Sequence, residues 1–284
     1  MGGGGQGIGG EGGVTNTRHS AVETFPEGLT RVCDDGVCTV TIDRPADLNR
    51  LSPDVLTRLG AIAADLRDDA QINVLVITGA GPEIFSMGIL NPAIRASYTK
   101  DEIVNLVLRA NAVFDAIEAL PQIVIAAING KVVAGASELC LACDLRYAVA
   151  HATLVMPEAT WGGFPGAGAP VRLPRMVGRA RALELICTGR EIDAAEMERL
   201  GLVQGVFAQK NFVASVTAIA RTIAGNGPLA VRGAKQIVAA REAPGFRPAR
   251  ELSDALRRKL EWSHDVDEGI AAHAENRKPT FLGR

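Results

Sequence analysis

The chain has 284 residues, 47 % of them apolar, which is enough for a sizeable core without requiring two large domains. A net charge of −2 and a pI near 6.1 exclude a strongly basic surface of the kind that binds nucleic acid or an anionic membrane. No apolar run reaches the length of a membrane span, and an odd count of five cysteines fits a reducing, cytoplasmic setting better than a disulfide framework.

The first residues, "MGGGGQGIGGEGG", carry neither the basic nor the apolar stretch of a signal peptide, and residues 1–21 read as a disordered glycine-rich tail. "GVCTVTID" (Gly36–Asp43) alternates β-branched positions and predicts a strand, ended by Arg44-Pro45. Ser52 as N-cap and Pro53 at the first helical position open a helix whose apolar residues at 55, 56, 59, 62, 63 and 66 keep helical spacing. "INVLVITG" (Ile72–Gly79) and "IVIAAING" (Ile123–Gly130) are short continuous apolar runs, read as buried strands. A second amphipathic helix lies between them, around Asp101–Leu120, stopped by Pro121. The order β-α-β-α-β favours an α/β domain with parallel strands. "LRYAVAHATLVMPEA" adds strand-like material, and beyond Gly163 helices are expected near 170–187, 193–200, 211–224, 228–241 and 249–261.

Strand ends are where α/β proteins bind ligands. Three small-residue turns follow apolar strands: "TGAGPEIFSMG" after Ile77, "NGKVVAGASE" after Ile128 and "MPEATWGGFPGAG" after Val155. Gly88 and Gly135 would let a ligand approach the backbone. Backbone N–H groups at Gly135, and in the Gly88–Ile89 loop, could face an anion or a developing oxyanion. Glu138 sits in an apolar run, where it is either an N3 glutamate favoured by the helix dipole or half of an acid pair with Glu158. Trp161 either walls a pocket or packs in a core. The histidines at 19, 151, 264 and 273 have no metal-ligand spacing, His151 reads as structural, and the lone Cys140-x-x-Cys143 reads as small core residues on one helix; no metal is expected. A G-x-G-x-x-G match occurs only in the tail with no strand before it, which argues against a dinucleotide site.

From about Val40 to Phe281 the chain resembles the crotonase (enoyl-CoA hydratase/isomerase) superfamily. The resemblance lies in "VTIDRPADLNRLS", "VLVITGAGPEIFSMG", "IAAINGKVVAGASELCLACDLRYA", "MPEATWGGFPGAGAPVRLPRMVG", "ALELICTGREIDAAEMERLGLVQGVF" and "DVDEGIAAHAENRKPTF", in that order. It implies a spiral of ββα units over 22–210, and a C-terminal helical region over 211–284 that assembles trimers or dimers of trimers. It implies an acyl-CoA thioester as substrate, with coenzyme A as carrier and no separate cofactor. Its thioester oxygen would lie between the N–H groups of Ile89 and Gly135. Glu138 and Glu158 would be the catalytic acids, with Met87, Gly88 and Trp161 at the substrate. Both acids together favour hydration of a 2-enoyl-CoA. The alternatives are a lyase, hydrolase or isomerase acting on an aromatic or branched acyl-CoA, or a non-catalytic paralogue. The chain departs from the pattern where "MGIL" (Met87–Leu90) replaces "AGAD", where Pro92 replaces a lysine, and where His273 and Asn276 replace a phenylalanine and a lysine that help hold the CoA nucleotide.

Overall fold

The computed structural model describes residues 1, 21–242, 263–275 and 277–284. Most of the glycine-rich tail, the helix expected near 249–261 and Asn276 lie outside the described residues, as does the side chain of His273. The chain opens with three strands, β1 (Val22–Phe25), β2 (Leu29–Asp34) and β3 (Val37–Ile42). Helix α1 (Pro53–Arg67) follows; Ser52 Oγ accepts from the Val55 N–H at 3.3 Å, and the six apolar positions of the sequence pattern are the six buried ones.

From there the chain repeats one move three times. β4 (Val74–Gly79) is followed by a three-residue strand, β5 (Ile84–Ser86), and then by the short helix α2 (Pro92–Arg95) and the long helix α3 (Lys100–Glu118). A capping box of Thr99 and Glu102 starts α3. β6 (Ile123–Ile128) is followed by β7 (Lys131–Val133) and α4 (Gly135–Leu141). β8 (Leu145–Val149) is followed by β9 (Thr153–Val155), a 3₁₀ turn at Pro157–Trp161, α5 (Ala169–Val177) and α6 (Arg179–Thr188). The expected helix near 170–187 is therefore two helices, divided at Gly178 (φ 78°). β10 (Ile192–Asp193), α7 (Ala194–Arg199), β11 (Gly205–Phe207), α8 (Gln209–Ala224), α9 (Pro228–Glu242) and α10 (His264–Ala274) complete the described chain.

The first strand of each pair enters a seven-stranded sheet of order β1-β2-β3-β4-β6-β8-β11, and the second enters a four-stranded sheet of order β10-β9-β7-β5. Strands β3, β4, β6, β8 and β11 run parallel, so β4 and β6 are covered on both faces and read as unbroken apolar runs. β1 and β2 pair antiparallel with the edge of that sheet. This is the arrangement of ββα units that the sequence resemblance implies. Helix α8 lays Phe212, Val216 and Ala220 onto the same core. Helix α9 is tied to β6 through Lys235, whose Nζ donates to Asp144 at 2.6 Å and to the Gln122 carbonyl at 2.9 Å. No helix of the described residues is long and apolar enough to cross a membrane.

Buried polar side chains fix the loops between the sheets. Arg146 is 5 % exposed; its Nη1 donates to the Cys143 carbonyl at 2.5 Å and its Nε to the Leu202 carbonyl at 2.6 Å, which satisfies groups just past the end of α4. Cys140 is the only one of the C-x-x-C pair inside α4, but both thiols are buried as core groups. Asn49 does comparable work before the site. It is 1 % exposed with φ 54°, its Nδ2 donates to the carbonyls of Ala80 (2.8 Å) and Ile84 (2.9 Å), and its Oδ1 accepts from the Arg44 N–H (3.0 Å). Asn49→Ala removes the partner of two part-buried carbonyls and one N–H and forces alanine into the left-handed region. It should destabilise the protein by about 2–4 kcal/mol, seen as a lower urea midpoint with an unchanged m-value.

Candidate active site

Two of the three turns singled out in the sequence, those after Ile77 and Ile128, each contain a strand of only three residues, β5 or β7, too short for its period to be read. The residues expected in those turns lie past that second strand, whereas the third turn follows β9 directly. β5, β7 and β9 pair in parallel, with Ser86 opposite Val132 and Val133 opposite Val155. Parallel pairing puts their C-terminal ends on one edge. Ile89, Gly135 and Glu158 each lie two or three residues past those ends and meet at a single cleft.

The cleft is lined by Ile89 and Leu90 from the first loop, Arg95 from α2, Val107 from α3, Ala134 from the second loop, Gly135 and Glu138 from α4, and Glu158, Trp161, Gly163, Phe164, Gly166 and Ala167 from the third loop. Of the expected site residues, Met87 and Gly88 do not line it. The Met87 N–H donates to the Leu48 carbonyl (3.1 Å), and the carbonyls of Met87 and Gly88 accept from Arg50 Nη1 (3.2 Å) and the Leu51 N–H (3.0 Å). That segment is braced from behind by residues 48–51.

Gly88 has φ 76°, and a Cβ there would stand 2.5 Å from the Val133 carbonyl oxygen and 3.0 Å from the Gly135 nitrogen. Its missing side chain is thus used to press the first loop onto the second, not to admit a ligand. A Cβ on Gly135 would stand 2.7 Å from Ile89 Cδ1, so the isoleucine side chain rests on that glycine. Ala134, between them, has φ 54° and ψ −126°, a conformation that costs a non-glycine residue of order 1–3 kcal/mol. Its N–H donates to the Val155 carbonyl (2.9 Å), and its carbonyl accepts from the Ser137 N–H (2.8 Å). These bonds hold the bend that starts α4. Neither the Ile89 nor the Gly135 N–H donates a hydrogen bond within the described residues.

Glu138 is 2 % exposed, and its carboxylate does not cap its own helix. Oε1 instead accepts from the Ala169 N–H at 3.0 Å, at the start of α5. The capping reading of Glu138 is therefore replaced by a long-range contact. Burial pushes its pKa up to about 7; the N–H groups of Ala169 and Ala167 and the charge of Arg172 oppose the rise, and the neighbouring Glu158 adds to it. Burial likewise pushes Glu158 up to about 7. Its Oε2 is buried without a partner among the described residues. Two carboxyl groups with raised pKa values thus share one cleft, one held by backbone donors and one open to whatever enters.

The residues that hold Glu138's partner loop were not visible in the sequence. Arg172, 5 % exposed, pairs with Asp115 and with Glu118 (2.8 Å) of α3, and donates to the Ala167 carbonyl at 3.3 Å. Asn111 of α3 donates to the Gly166 carbonyl at 2.8 Å. Helical spacing of 111, 115 and 118 marks one face of α3, yet nothing local says what that face holds. Trp161 is 39 % exposed and does wall the cleft. His151 Nε2–H donates to the Pro82 carbonyl (2.9 Å) outside it, and no cluster of three or more metal-ligating side chains exists among the described residues.

Residues 33–284 match the sequence profile of enoyl-CoA hydratase/isomerase. The chain is 34 % identical to the crotonyl-CoA hydratase of Syntrophomonas wolfei over 254 residues, covering 88 % of this chain and 96 % of the relative. It is 35 % identical to the short-chain-enoyl-CoA hydratase of Clostridium acetobutylicum over 208 residues, 71 % of this chain and 77 % of that one. The crystal structure of an enoyl-CoA hydratase from Bacillus anthracis superposes with a TM-score of 0.87 at 34 % identity, over 90 % of this chain and all of the other. A fold of ββα pairs, a cleft at the ends of their short strands and a match across nine-tenths of the chain lead to one conclusion: the protein belongs to the enoyl-CoA hydratase/isomerase family.

Proposed function

We propose that the protein is a hydro-lyase that adds water across the 2,3 double bond of an enoyl-CoA. The observation that carries this reading is the pair Glu138 and Glu158 in one cleft, both with pKa values near 7. The thioester oxygen would accept from the free N–H groups of Ile89 and Gly135, which stabilise the negative charge that grows as water attacks C3. One such donor is typically worth about 2.7–4 kcal/mol of barrier. A pKa near 7 lets a carboxyl group give or take a proton at neutral pH. Glu158, with an oxygen free of protein partners, would pass the proton to C2; Glu138, oriented by Ala169, would hold and polarise the water.

Arg95 supports an anionic carrier. It lines the cleft, makes no ion pair among the described residues, and stands almost one helical turn beyond Pro92, where the family pattern has its lysine. The C-terminal helices support a homotrimer, or a dimer of trimers: α8 and α9 leave Val213 and Val238 at 73 % and 59 % exposure, as a surface awaiting a neighbour would. A lyase, hydrolase or isomerase acting on an aromatic or branched acyl group is the second reading, favoured by Ile89 and Trp161 in the cleft walls.

With crotonyl-CoA and longer enoyl-CoAs, the conjugated absorbance should fall and the product should gain the mass of one water. Carbon–carbon or thioester cleavage products would move the assignment to the second reading. Glu138→Gln and Glu158→Gln should each lower kcat by about 10²–10⁴-fold with the fold retained by circular dichroism. Near-normal turnover in both would return the acids to a structural role. Arg95→Ala should raise KM by about fivefold, the equivalent of roughly 1 kcal/mol of exposed charge pairing, and leave kcat unchanged.

The raised acids also set a stability profile. Between the ordinary value of 4.5 and about 7 the folded protein keeps protons that the unfolded chain has lost. Unfolding then releases protons, so stability falls as pH rises through that window and levels off above it. Urea midpoints taken from pH 4.5 to 8 should show this fall. Either glutamine variant should show a shallower one; an identical slope in both would mean the acids titrate normally.

A further inference from the structure

The β2–β3 hairpin lies away from the cleft and takes no part in the chemistry above. Its turn residues, Asp35 and Gly36, both have positive φ (46° and 76°), the type I′ form that an Asp-Gly pair favours. Asp34 and Val37 flank the turn, and Cys33 stands directly opposite Cys38 in the next register position. In a two-residue hairpin the flanking pair is hydrogen-bonded and the next pair is not. Cys33 and Cys38 therefore form the closer kind of cross-strand pair, with Cα atoms about 4.5 Å apart, inside the span of about 4.4–6.8 Å that a disulfide bridges. Their side chains leave the same face, and their Sγ atoms are already 2.7 Å apart, inside the contact distance of two unbonded sulfurs.

The two thiols differ in the way an attacking and a resolving cysteine differ. Cys33 is partly exposed; Cys38 is buried beneath it. The adjoining Cys38 thiol holds the Cys33 thiol below its ordinary range, helped by the charge of Arg31 and opposed by burial. The close Cys33 sulfur, with burial, pushes Cys38 well above its own. The other cysteines offer no such arrangement: Cys140 and Cys143 are enclosed in the core, and Cys187 is exposed.

The geometry points to Cys33 and Cys38 as a redox-active dithiol that a low-molecular-weight disulfide of the glutathione class oxidises to an intramolecular cross-strand disulfide. The Cys33 thiolate attacks one sulfur of the small disulfide, forming a mixed disulfide and expelling one small thiolate. Cys38 then loses its proton to solvent and attacks the Cys33 sulfur, closing the protein disulfide and expelling the second small thiolate. The protein gives up two electrons and two protons, and the small disulfide becomes two thiols. The strands need no change of register for this, because turn and pairing already hold the sulfurs together.

The test uses the full chain, equilibrated with oxidised and reduced glutathione at graded ratios, quenched by alkylation and digested with trypsin. The tryptic peptide Val32–Arg50 contains these two cysteines and no other. It should lose two hydrogens and take no alkyl group on oxidation, and take two after dithiothreitol. Cys38→Ser should accumulate a glutathione adduct on Cys33, whereas Cys33→Ser should leave Cys38 unmodified. The folded protein should reach half-oxidation at a ratio at least about tenfold lower than the same chain in urea, because folding pre-forms the pair. A peptide that stays doubly alkylated across the series, a mixed disulfide at Cys33 that never closes, or equal ratios in the folded and urea-unfolded chain would each overturn the assignment.

Discussion

The parallel pairing of three very short strands is the constraint on which the site depends. β5, β7 and β9 have three residues each, yet their shared direction puts three loop starts on one edge of the small sheet. An antiparallel neighbour would send its loop to the opposite edge, and Ile89, Gly135 and Glu158 could not meet. The large sheet makes this possible. Its parallel strands β4, β6 and β8 each hand the chain on to a short strand, and the helices that return it provide the crossovers that parallel pairing requires.

Once the loops are forced together, local backbone choices follow. Gly88 has no side chain because the Val133 carbonyl and the Gly135 nitrogen occupy that space. Ala134 takes a costly left-handed bend because its N–H and carbonyl are both tied, one to β9 and one to α4. Burying Glu138 carries a further cost, since a carboxylate in an apolar surround is poorly solvated. The fold offsets part of it with the N–H groups at the start of α5, and holds that start in place from α3 through Asn111 and the Arg172 cluster. Breaking the Arg172 cluster on one side would leave a buried guanidinium uncompensated, so the clamp acts as a unit.

How legible all this was depended on how local each signal was. Helix α1 was readable because its cap, first-turn proline and apolar stripe lie within fifteen consecutive residues. The buried strands β4 and β6 were readable as unbroken apolar runs. The short strands were not, because three residues carry no period, and neither was the first antiparallel pair, whose positions 22–34 face solvent or other elements without clean alternation. Glu138 stood out as an acid in an apolar run, and its pairing with Glu158 followed from family resemblance more than from spacing. Its actual partner, the Ala169 N–H thirty-one residues on, is a backbone group, and backbone groups leave no mark in a sequence. Arg95 and Val107 were missed for a related reason: they reach the cleft through the helices α2 and α3, whose faces the sequence does not aim.

The bulky residues of the first loop also acquire a physical meaning. Where the family pattern has two small residues and an acid, this chain has Met87, Ile89 and Leu90. Met87 does not line the cleft, and its backbone is braced by Leu48 and Arg50. Ile89 fits only because Gly135 presents no Cβ to it. The glycine that frees one backbone N–H therefore also makes room for the side chain beside the other. The cleft is thus lined by Ile89, Leu90, Ala134, Trp161 and Phe164 together with the two acids. Burial of the two acids beside these residues is the desolvation that raises both pKa values. Bulk from the first loop and the proton-binding acids that follow the other two short strands therefore meet in the same cleft.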